Sequence, residues 1–219
     1  MDDFWSALDG SAASALSARA TSCSYPRGRA LVHEGQVPDR VFVLRSGCAK
    51  VTSVTAGGRE VVLAFRGPGA LVGEQSALDG APRSATIVAI QPVDALVLSH
   101  RAFVAFLLEH PSAHLLVTQM LARRLRESDA KVMLATATTI TRVAARLLEL
   151  SERFGSEDGD AIRIALPLSQ EEIAGATGSS LESVGRALQS MRTLRCFETR
   201  RREIRVLDRE RLAALRDAA

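Results

Sequence analysis

Residues 67–86 read Gly67-Pro-Gly-Ala-Leu-Val-Gly73-Glu74-Gln75-Ser76-Ala-Leu-Asp79-Gly80-Ala-Pro-Arg83-Ser84-Ala-Thr86. Glycine and proline punctuate the stretch. It predicts a loop that opens a short helix at Gly73-Glu74, a turn at Asp79-Gly80, and then one cation beside one hydroxyl, Arg83 and Ser84. Gly73 lets a ligand approach the backbone closely. N–H groups at the start of the short helix suit an anion. Arg83 offers a planar fork of donors that matches a phosphate. Glu74 only accepts, so beside a phosphate it suits a neutral hydroxyl, such as that of a sugar. One anion holder and one hydroxyl acceptor describe a nucleoside monophosphate with a free ribose hydroxyl. The same residue types also occur in many loops that bind nothing.

Upstream and downstream of this loop, from Leu31 to Leu98, short apolar runs alternate with turn signals. Val41–Leu44 precedes Ser46-Gly47, and Val51–Val54 precedes Ala56-Gly57-Gly58. Val61–Phe65 leads into Gly67-Pro68-Gly69, and Thr86–Ile90 into Gln91-Pro92. Strands at this spacing predict an all-β sandwich or roll. Residues 1–24 read instead as one or two short helices anchored by Trp5, Leu8 and Leu16. From Ser99 to Ala137 the period is helical. Phe103–Leu108 forms one helix, and Pro111 suits the first turn of the next. In that long second helix Leu121, Leu125, Ser128, Val132, Ala135 and Thr139 follow at intervals of 4, 3, 4, 3 and 4. This is a heptad seam opposite Arg123, Arg124, Arg126 and Glu127, and it predicts pairing with a second helix, with packing on the chain's own sheet as the alternative. A boundary is expected near Thr136–Thr139, where β-branched residues weaken the helix.

Ser169-Gln-Glu-Glu172-Ile-Ala174 is a capping-box sequence. Gly178 supplies a turn, and Ser180 caps a second helix, Leu181-Glu182-Ser183-Val184-Gly185-Arg186-Ala-Leu188. Two short helices around a glycine turn predict a helix-turn-helix, with Ala174, Gly178 and Val184 at the close crossing, the turn and the buried anchor. The second helix of such a unit reads base edges from its N-terminal turn. Ser180, Glu182, Ser183 and Arg186 are the side chains available there, with Ser169 at the first helix. Glu182 and Arg186 suit cytosine and guanine, although at i,i+4 they also suit each other. Beyond, Cys196–Thr199 and Ile204–Leu207 read as two strands around Arg200-Arg201-Arg202, a basic wing for DNA phosphates. The stretch Arg186–Arg205 holds Arg186, Arg192, Arg195, Arg200, Arg201, Arg202 and Arg205 against Glu198 and Glu203. That excess is either a phosphate footprint or a solvated charged face.

Composition bounds the function. The chain has 219 residues, 47% hydrophobic and 24% charged, with net charge +3. It is long enough for one large or two small domains. No apolar run approaches the ~20 residues that span a bilayer, and the acidic start lacks the basic opening of a secretory signal. Three scattered cysteines, Cys23, Cys48 and Cys196, make neither a disulfide framework nor a zinc site and point to a reducing cytoplasm. His33, His100, His110 and His114 are isolated, with no HExxH motif, no Gly-x-Ser-x-Gly and no P-loop lysine. Neither a metal nor an enzymatic activity is expected.

The cassette at 67–86 closely resembles the phosphate-binding cassette of cyclic-nucleotide-binding domains, and more specifically that of the catabolite activator (CRP/FNR) family of bacterial transcription regulators. The resemblance runs from about His33 to Leu207 in three blocks: the cassette, the helix around Leu121-Ala-Arg-Arg-Leu125 with Ser128 and Lys131-Val132, and Glu182-Ser-Val-Gly-Arg186. It implies an α+β fold: a β-roll of the jelly-roll type (1–108), a dimerisation helix (109–137) and a winged helix-turn-helix (138–219). It implies that Glu74 holds the ribose 2′-hydroxyl and that Arg83 and Ser84 hold the cyclic phosphate, with Gly73, Gln75 and Ser76 completing the cassette. Ser128 and Asp129 match the pair that meets the base. Asp129 departs from the family's serine, so cyclic AMP is the first expectation and cyclic GMP the alternative. The resemblance implies a homodimer on a symmetric double-stranded DNA operator of GTGA type, with RNA polymerase as partner and no membrane. Leu181 stands where the family often has an arginine, which leaves the half-site open. The alternatives are a regulator gated by another ligand or by none, and a sensor whose C-terminal helices bind protein.

Overall fold

Val41-Phe42-Val43-Leu44 is apolar at every position, and a strand carries side chains to alternate faces, so this run demands burial on both. The computed structural model, which describes residues 3–200 and 202–218, meets that demand. Phe42 and Leu44 join one core with Val32, Val72, Ile87 and Ala95. Val41 and Val43 join another with Leu16, Leu98, Phe103, Phe106 and Val117. The chain divides into two compact units, Met1–Thr55 with Leu63–Glu127, and Ala56–Val62 with Ser128–Ala219.

In the first unit α1 (Phe4–Ala7) and α2 (Gly10–Arg19) precede β1 (Thr21–Tyr25), β2 (Ala30–Val32), β3 (Arg40–Leu44), β4 (Ala49–Val54), β5 (Glu60–Arg66) and β6 (Leu71–Val72). Then come α3 (Glu74–Asp79), β7 (Thr86–Ala89), β8 (Val93–Ser99), α4 (His100–Glu109) and α5 (Pro111–Leu134), of which Ser128 onward belongs to the second unit. The strands form two four-stranded sheets, ordered β1-β8-β3-β6 and β2-β7-β4-β5. Their recorded pairs are antiparallel, as in β3–β8 (Val41↔Leu98) and β4–β7 (Val51↔Ile87). The expectation of helix through residue 24 is corrected. Thr21–Tyr25 lacks a helical apolar stripe and pairs with β8 as a strand. Asp9 caps α2 by accepting from the Ala12 N–H, and Ser99 caps α4 through Ala102.

The seam on α5 is shorter than its sequence spacing suggests. The helix ends at Leu134, and Thr138 caps the next helix by accepting from the Thr141 N–H, so Ala135 and Thr139 fall outside it. Leu121 packs partly on the first unit's core. Leu125 and Val132 are 64% and 69% exposed.

The second unit contains α6 (Thr139–Phe154), β9 (Gly155–Asp158), β10 (Ala161–Ile164), α7 (Gln170–Thr177), α8 (Leu181–Thr193), β11 (Phe197–Arg200), β12 (Glu203–Val206) and α9 (Arg209–Asp217). The two-stranded wing of the sequence reading is one side of a four-stranded sheet, β11-β12-β10-β9. The β9–β10 hairpin and α9 carry weak local signals, and the sequence reading did not anticipate them. Arg205 binds this sheet together. It donates to Asp158 from Nε and to Glu198 from Nη1, each at 2.7 Å.

The hydrogen bond from Arg205 lowers the Glu198 pKa below its usual value, with the Arg200 charge adding to the effect against some desolvation. A carboxylate with a depressed folded-state pKa stabilises above its unfolded pKa, and that contribution is lost as pH falls through the folded value. Arg205→Gln should therefore lower the Tm at neutral pH. Its deficit should shrink as pH is taken down through the glutamate range. Thermal melts of both proteins from about pH 3 to about pH 7, which spans carboxylate titration, check this, and a deficit independent of pH contradicts it.

Candidate functional site

The first unit brings Gly73, Glu74 and Arg83 together. Gly73 caps α3 with φ +80°, a left-handed conformation that favours glycine. A Cβ there would lie 2.9 Å from Arg83 Nη1, so the glycine also clears space for the guanidinium. Arg83 is 3% exposed and Glu74 2%. Arg83 Nη1 donates to the Gly73 carbonyl at 2.7 Å, and Nη2 donates to the Arg40 carbonyl. The Asp39 carboxylate lies 3.6 Å from Nη2. Backbone bonds hold the loop at both ends: Arg83 N–H donates to the Gln36 carbonyl and Gly35 N–H to the Arg83 carbonyl, both at 2.8 Å. Burial lowers the Arg83 pKa from its usual value, and Asp39 and Glu74 oppose that shift. The group remains a cation.

Glu74 is held by a residue that the sequence pattern places on the polar face of its helix, opposite the heptad seam. Arg124, on α5, donates to Glu74 Oε1 at 2.6 Å and to the Leu71 carbonyl at 2.8 Å. Its side chain is 11% exposed. No local signal reveals this pair, because the partners are 50 residues apart in sequence. Asp39 and the Arg40 carbonyl escaped the sequence reading for the same reason. Around them, Ser76 is buried and its hydroxyl reaches toward the Pro82 carbonyl at 3.5 Å. Gln75 and Ser84 are exposed. A groove of about 490 Å³ lined by Gly28–His33, Gln36, Asp39 and Arg40 lies beside the cassette, and Gln36, Asp39 and Arg40 of its lining also contact Arg83.

Two features fit these residues to a phosphate ester. Arg83 Nε is buried and has no hydrogen-bond partner among the described residues, which leaves a donor unmet where an anion would accept it. The absent Cβ of Gly73 keeps the backbone open beside that guanidinium. Glu74 fits a sugar hydroxyl, since a carboxylate has about four lone-pair sites and can hold Arg124 and still accept from a second donor.

Ser128 and Asp129 lie exposed on α5, within the second unit. Among the described residues no cluster of three or more histidine, cysteine or acidic side chains could hold a metal, and no helix is long and apolar enough to cross a membrane.

In the second unit the helix-turn-helix forms as its sequence signals require. Ser169 and Glu172 make the reciprocal capping box, with Ser169 N–H to Glu172 Oε2 at 2.8 Å and Glu172 N–H to Ser169 Oγ at 3.1 Å. Gly178 ends α7 at φ +62°, and Ser180 caps α8 through the Ser183 N–H. Ile173, Ala174 and Val184 are buried at the crossing. Arg142 fixes the turn from behind, donating to the Ala135 and Ala137 carbonyls and to Ser179 Oγ. Arg146, 6% exposed, bonds Glu149 and the Ala176 carbonyl at the end of α7. Glu182 and Arg186 form an ion pair on the outer face of α8, 78% and 67% exposed.

The arginine-rich stretch 186–205 offers less free charge than its count suggests. Arg205 is committed to Asp158 and Glu198. Arg200 pairs with Glu198 at 3.0 Å, and Arg192 stacks over the Phe197 ring. Arg195 and Arg202 are exposed and take left-handed φ of 53° and 62°. Arg201 lies outside the described residues.

The family model of the cyclic nucleotide-binding domain matches residues 22–110, and that of the Crp-like helix-turn-helix domain matches residues 141–215. The chain is 32% identical over 207 residues to a CRP-like cAMP-activated global transcriptional regulator of Mycobacterium tuberculosis, covering 94% of this chain and 92% of the relative. It is 31% identical over 168 residues to the cyclic AMP receptor protein of Thermus thermophilus, covering 76% and 74%. Among solved structures, FixK2 from Bradyrhizobium japonicum superposes with a TM-score of 0.81 at 26% identity, covering 91% of this chain and 98% of that one. A buried arginine and glutamate in a cyclic-nucleotide cassette, a capped helix-turn-helix and these matches along nearly the whole chain agree, and the chain belongs to the CRP/FNR family of DNA-binding, non-enzymatic transcription regulators.

Proposed function

We propose that this protein is a homodimeric transcription regulator switched by cyclic AMP, working in the cytoplasm on a two-fold symmetric operator and in contact with RNA polymerase. The observation that carries the ligand reading is the buried Arg83 guanidinium with an unmet Nε donor beside a buried Glu74. In this reading Arg83 and Ser84 hold the cyclic phosphate and Glu74 holds the ribose hydroxyl. Gly73, Gln75 and Ser76 shape the cassette around them. Arg124 joins them by sharing Glu74. Cyclic AMP is favoured by the cAMP-activated relatives at 32% and 31% identity. Asp129 keeps cyclic GMP as a second reading, because a carboxylate can accept from both the ring N–H and the amine of guanine. The scattered cysteines support a regulator without a metal cluster.

Exposed apolar side chains on α5 support the dimer. Leu125, Val132 and Met133 are 64%, 69% and 78% exposed, and three large apolar groups on one helix are a costly surface unless another helix covers them. On DNA, Glu182 and Arg186 read a base pair, while Ser169, Ser180, Ser183, Arg200, Arg201 and Arg202 position the backbone. Because Arg200 is shared with Glu198, Arg202 is the stronger phosphate contact of the two. Ligand acts by a population shift, which it can drive only by its difference in affinity between two states.

Calorimetry with cyclic AMP and cyclic GMP tests the ligand. Arg83→Ala should weaken cyclic AMP by at least about 2 kcal/mol, the low end for breaking a desolvated charge pair. Glu74→Gln should weaken cyclic AMP more than its 2′-deoxy analogue, and equal losses would remove the ribose role.

Leu125→Glu should produce monomers by light scattering and abolish binding to a symmetric site. A wild-type protein that stays monomeric with nucleotide bound would sink the dimer.

Arg186→Ala should cost about 1–3 kcal/mol and relax discrimination at one base pair. Arg202→Ala should weaken all sequences alike and reduce the salt slope by about one unit. A footprint indifferent to nucleotide contradicts gating, and the absence of any symmetric motif in selected sequences favours a protein partner.

A further inference from the structure

The cassette is fastened at both ends. Its Arg83 end is tied to Gln36 and Gly35, in the loop before β3. Its Gly67 end is tied to the segment Asp3–Leu8. Gly69 N–H donates to the Leu44 carbonyl at 2.7 Å, and Leu44 N–H donates to the Ala70 carbonyl at 2.9 Å. The Gly69 carbonyl accepts from Trp5 N–H at 3.0 Å. Asp3 caps α1 by accepting from Ser6 N–H at 2.9 Å. The same carboxylate lies against the Gly69 Cα, where a Cβ would collide with it. Phe4, 4% exposed, shares an apolar cluster with Leu71 and Ala77, both of them cassette residues. The Arg45 guanidinium sits 3.8 Å over the Trp5 ring, a cation–π contact. α1 has four residues, too few to hold a helix unaided. Its order comes from these contacts.

From Leu71 the contacts continue to the carboxylate. The Leu71 carbonyl accepts from Arg124 Nη2 at 2.8 Å, and Arg124 Nη1 donates to Glu74 Oε1 at 2.6 Å. One guanidinium therefore spans β6, whose position Phe4 and Trp5 support, and the carboxylate that opens α3. We propose that Asp3–Leu8 is a strap that positions Glu74 for the ribose hydroxyl, acting through Leu71 and Arg124. Asp3, Phe4 and Trp5 are positioning residues and do not touch the ligand. The Arg83 guanidinium takes its contacts from Gly73, Arg40 and Asp39, so the strap acts on the sugar contact more than on the phosphate contact. This rests on the ribose reading of Glu74 above and deepens it, because it adds a segment 70 or so residues away in sequence (about 70, counting Asp3 to Glu74) to the residues that set sugar recognition.

Calorimetry on the full-length protein tests this, with whichever of cyclic AMP and cyclic GMP binds and with its 2′-deoxy analogue. Phe4→Ala withdraws the strap's core anchor. Asp3→Ala withdraws its cap, removes no core side chain, and keeps the test open if Phe4→Ala does not fold. Trp5 is the only tryptophan, so quenching of its fluorescence by acrylamide reports release of the strap. In a variant whose Trp5 quenching rises, the ribonucleotide should weaken about twofold to thirtyfold, the range for coupling carried through packed contacts. The 2′-deoxy analogue should weaken less. In a Glu74→Gln background the same strap substitution should add little, a non-additivity that a double-mutant cycle measures. Equal losses for both ligands, no loss with the strap released, or additive losses in the cycle overturn the strap's role. The ribose reading then stands, provided Glu74→Gln alone weakens the ribonucleotide more than the deoxy analogue. If Glu74→Gln weakens both equally, or neither nucleotide binds, the ribose reading fails and the strap's role with it.

Discussion

A carboxylate and a guanidinium almost wholly removed from water, Glu74 and Arg83, set the terms for the first unit. A charge taken out of water is costly unless it is paired and hydrogen-bonded. Glu74 meets that demand through Arg124. Arg83 meets it through two backbone carbonyls and Asp39. The arrangement recruits residues from four places in the chain: the loop before β3, the start of β3, the cassette and α5. Arg83 Nε is buried there without a partner among the described residues.

The scaffold around that site follows from one strand. β3 carries apolar side chains to both faces, so sheet must cover one side and helix the other. Its N-terminal residue, Arg40, supplies the carbonyl that holds Arg83. The same strand that divides the two cores thus ends where the buried cation needs an acceptor. The cassette helix α3 packs Ala77 into the helical core, which fixes the approach of Glu74 to Arg124.

In the second unit, charge is spent on structure as well as on partners. Arg142, Arg146 and Arg205 satisfy helix ends and join strands. These groups hold α7, α8 and the wing sheet in place. The arginines that remain exposed, Arg186, Arg195 and Arg202 among them, occupy the outer face of α8 and the turns next to the strands.

Much of this was legible in the sequence, and for identifiable reasons. Strands β3, β4, β5 and β7 declare themselves by apolar runs bounded by turn residues, and the helix-turn-helix by Ser169, Glu172, Gly178 and Ser180. These signals are local: capping and turn chemistry act over three or four residues, so spacing alone encodes them. Gly73, Glu74 and Arg83 were nominated for the same reason, since all three fall within one loop. Tertiary structure decided what spacing cannot carry. Thr21–Tyr25 became a strand because β8 offered an edge. Arg124, on the polar face of its helix, found Glu74, 50 residues away, and Arg205 turned from a DNA candidate into the tie between three strands. An ion pair's strength depends on distance and burial, and neither exists until segments remote in sequence are packed together.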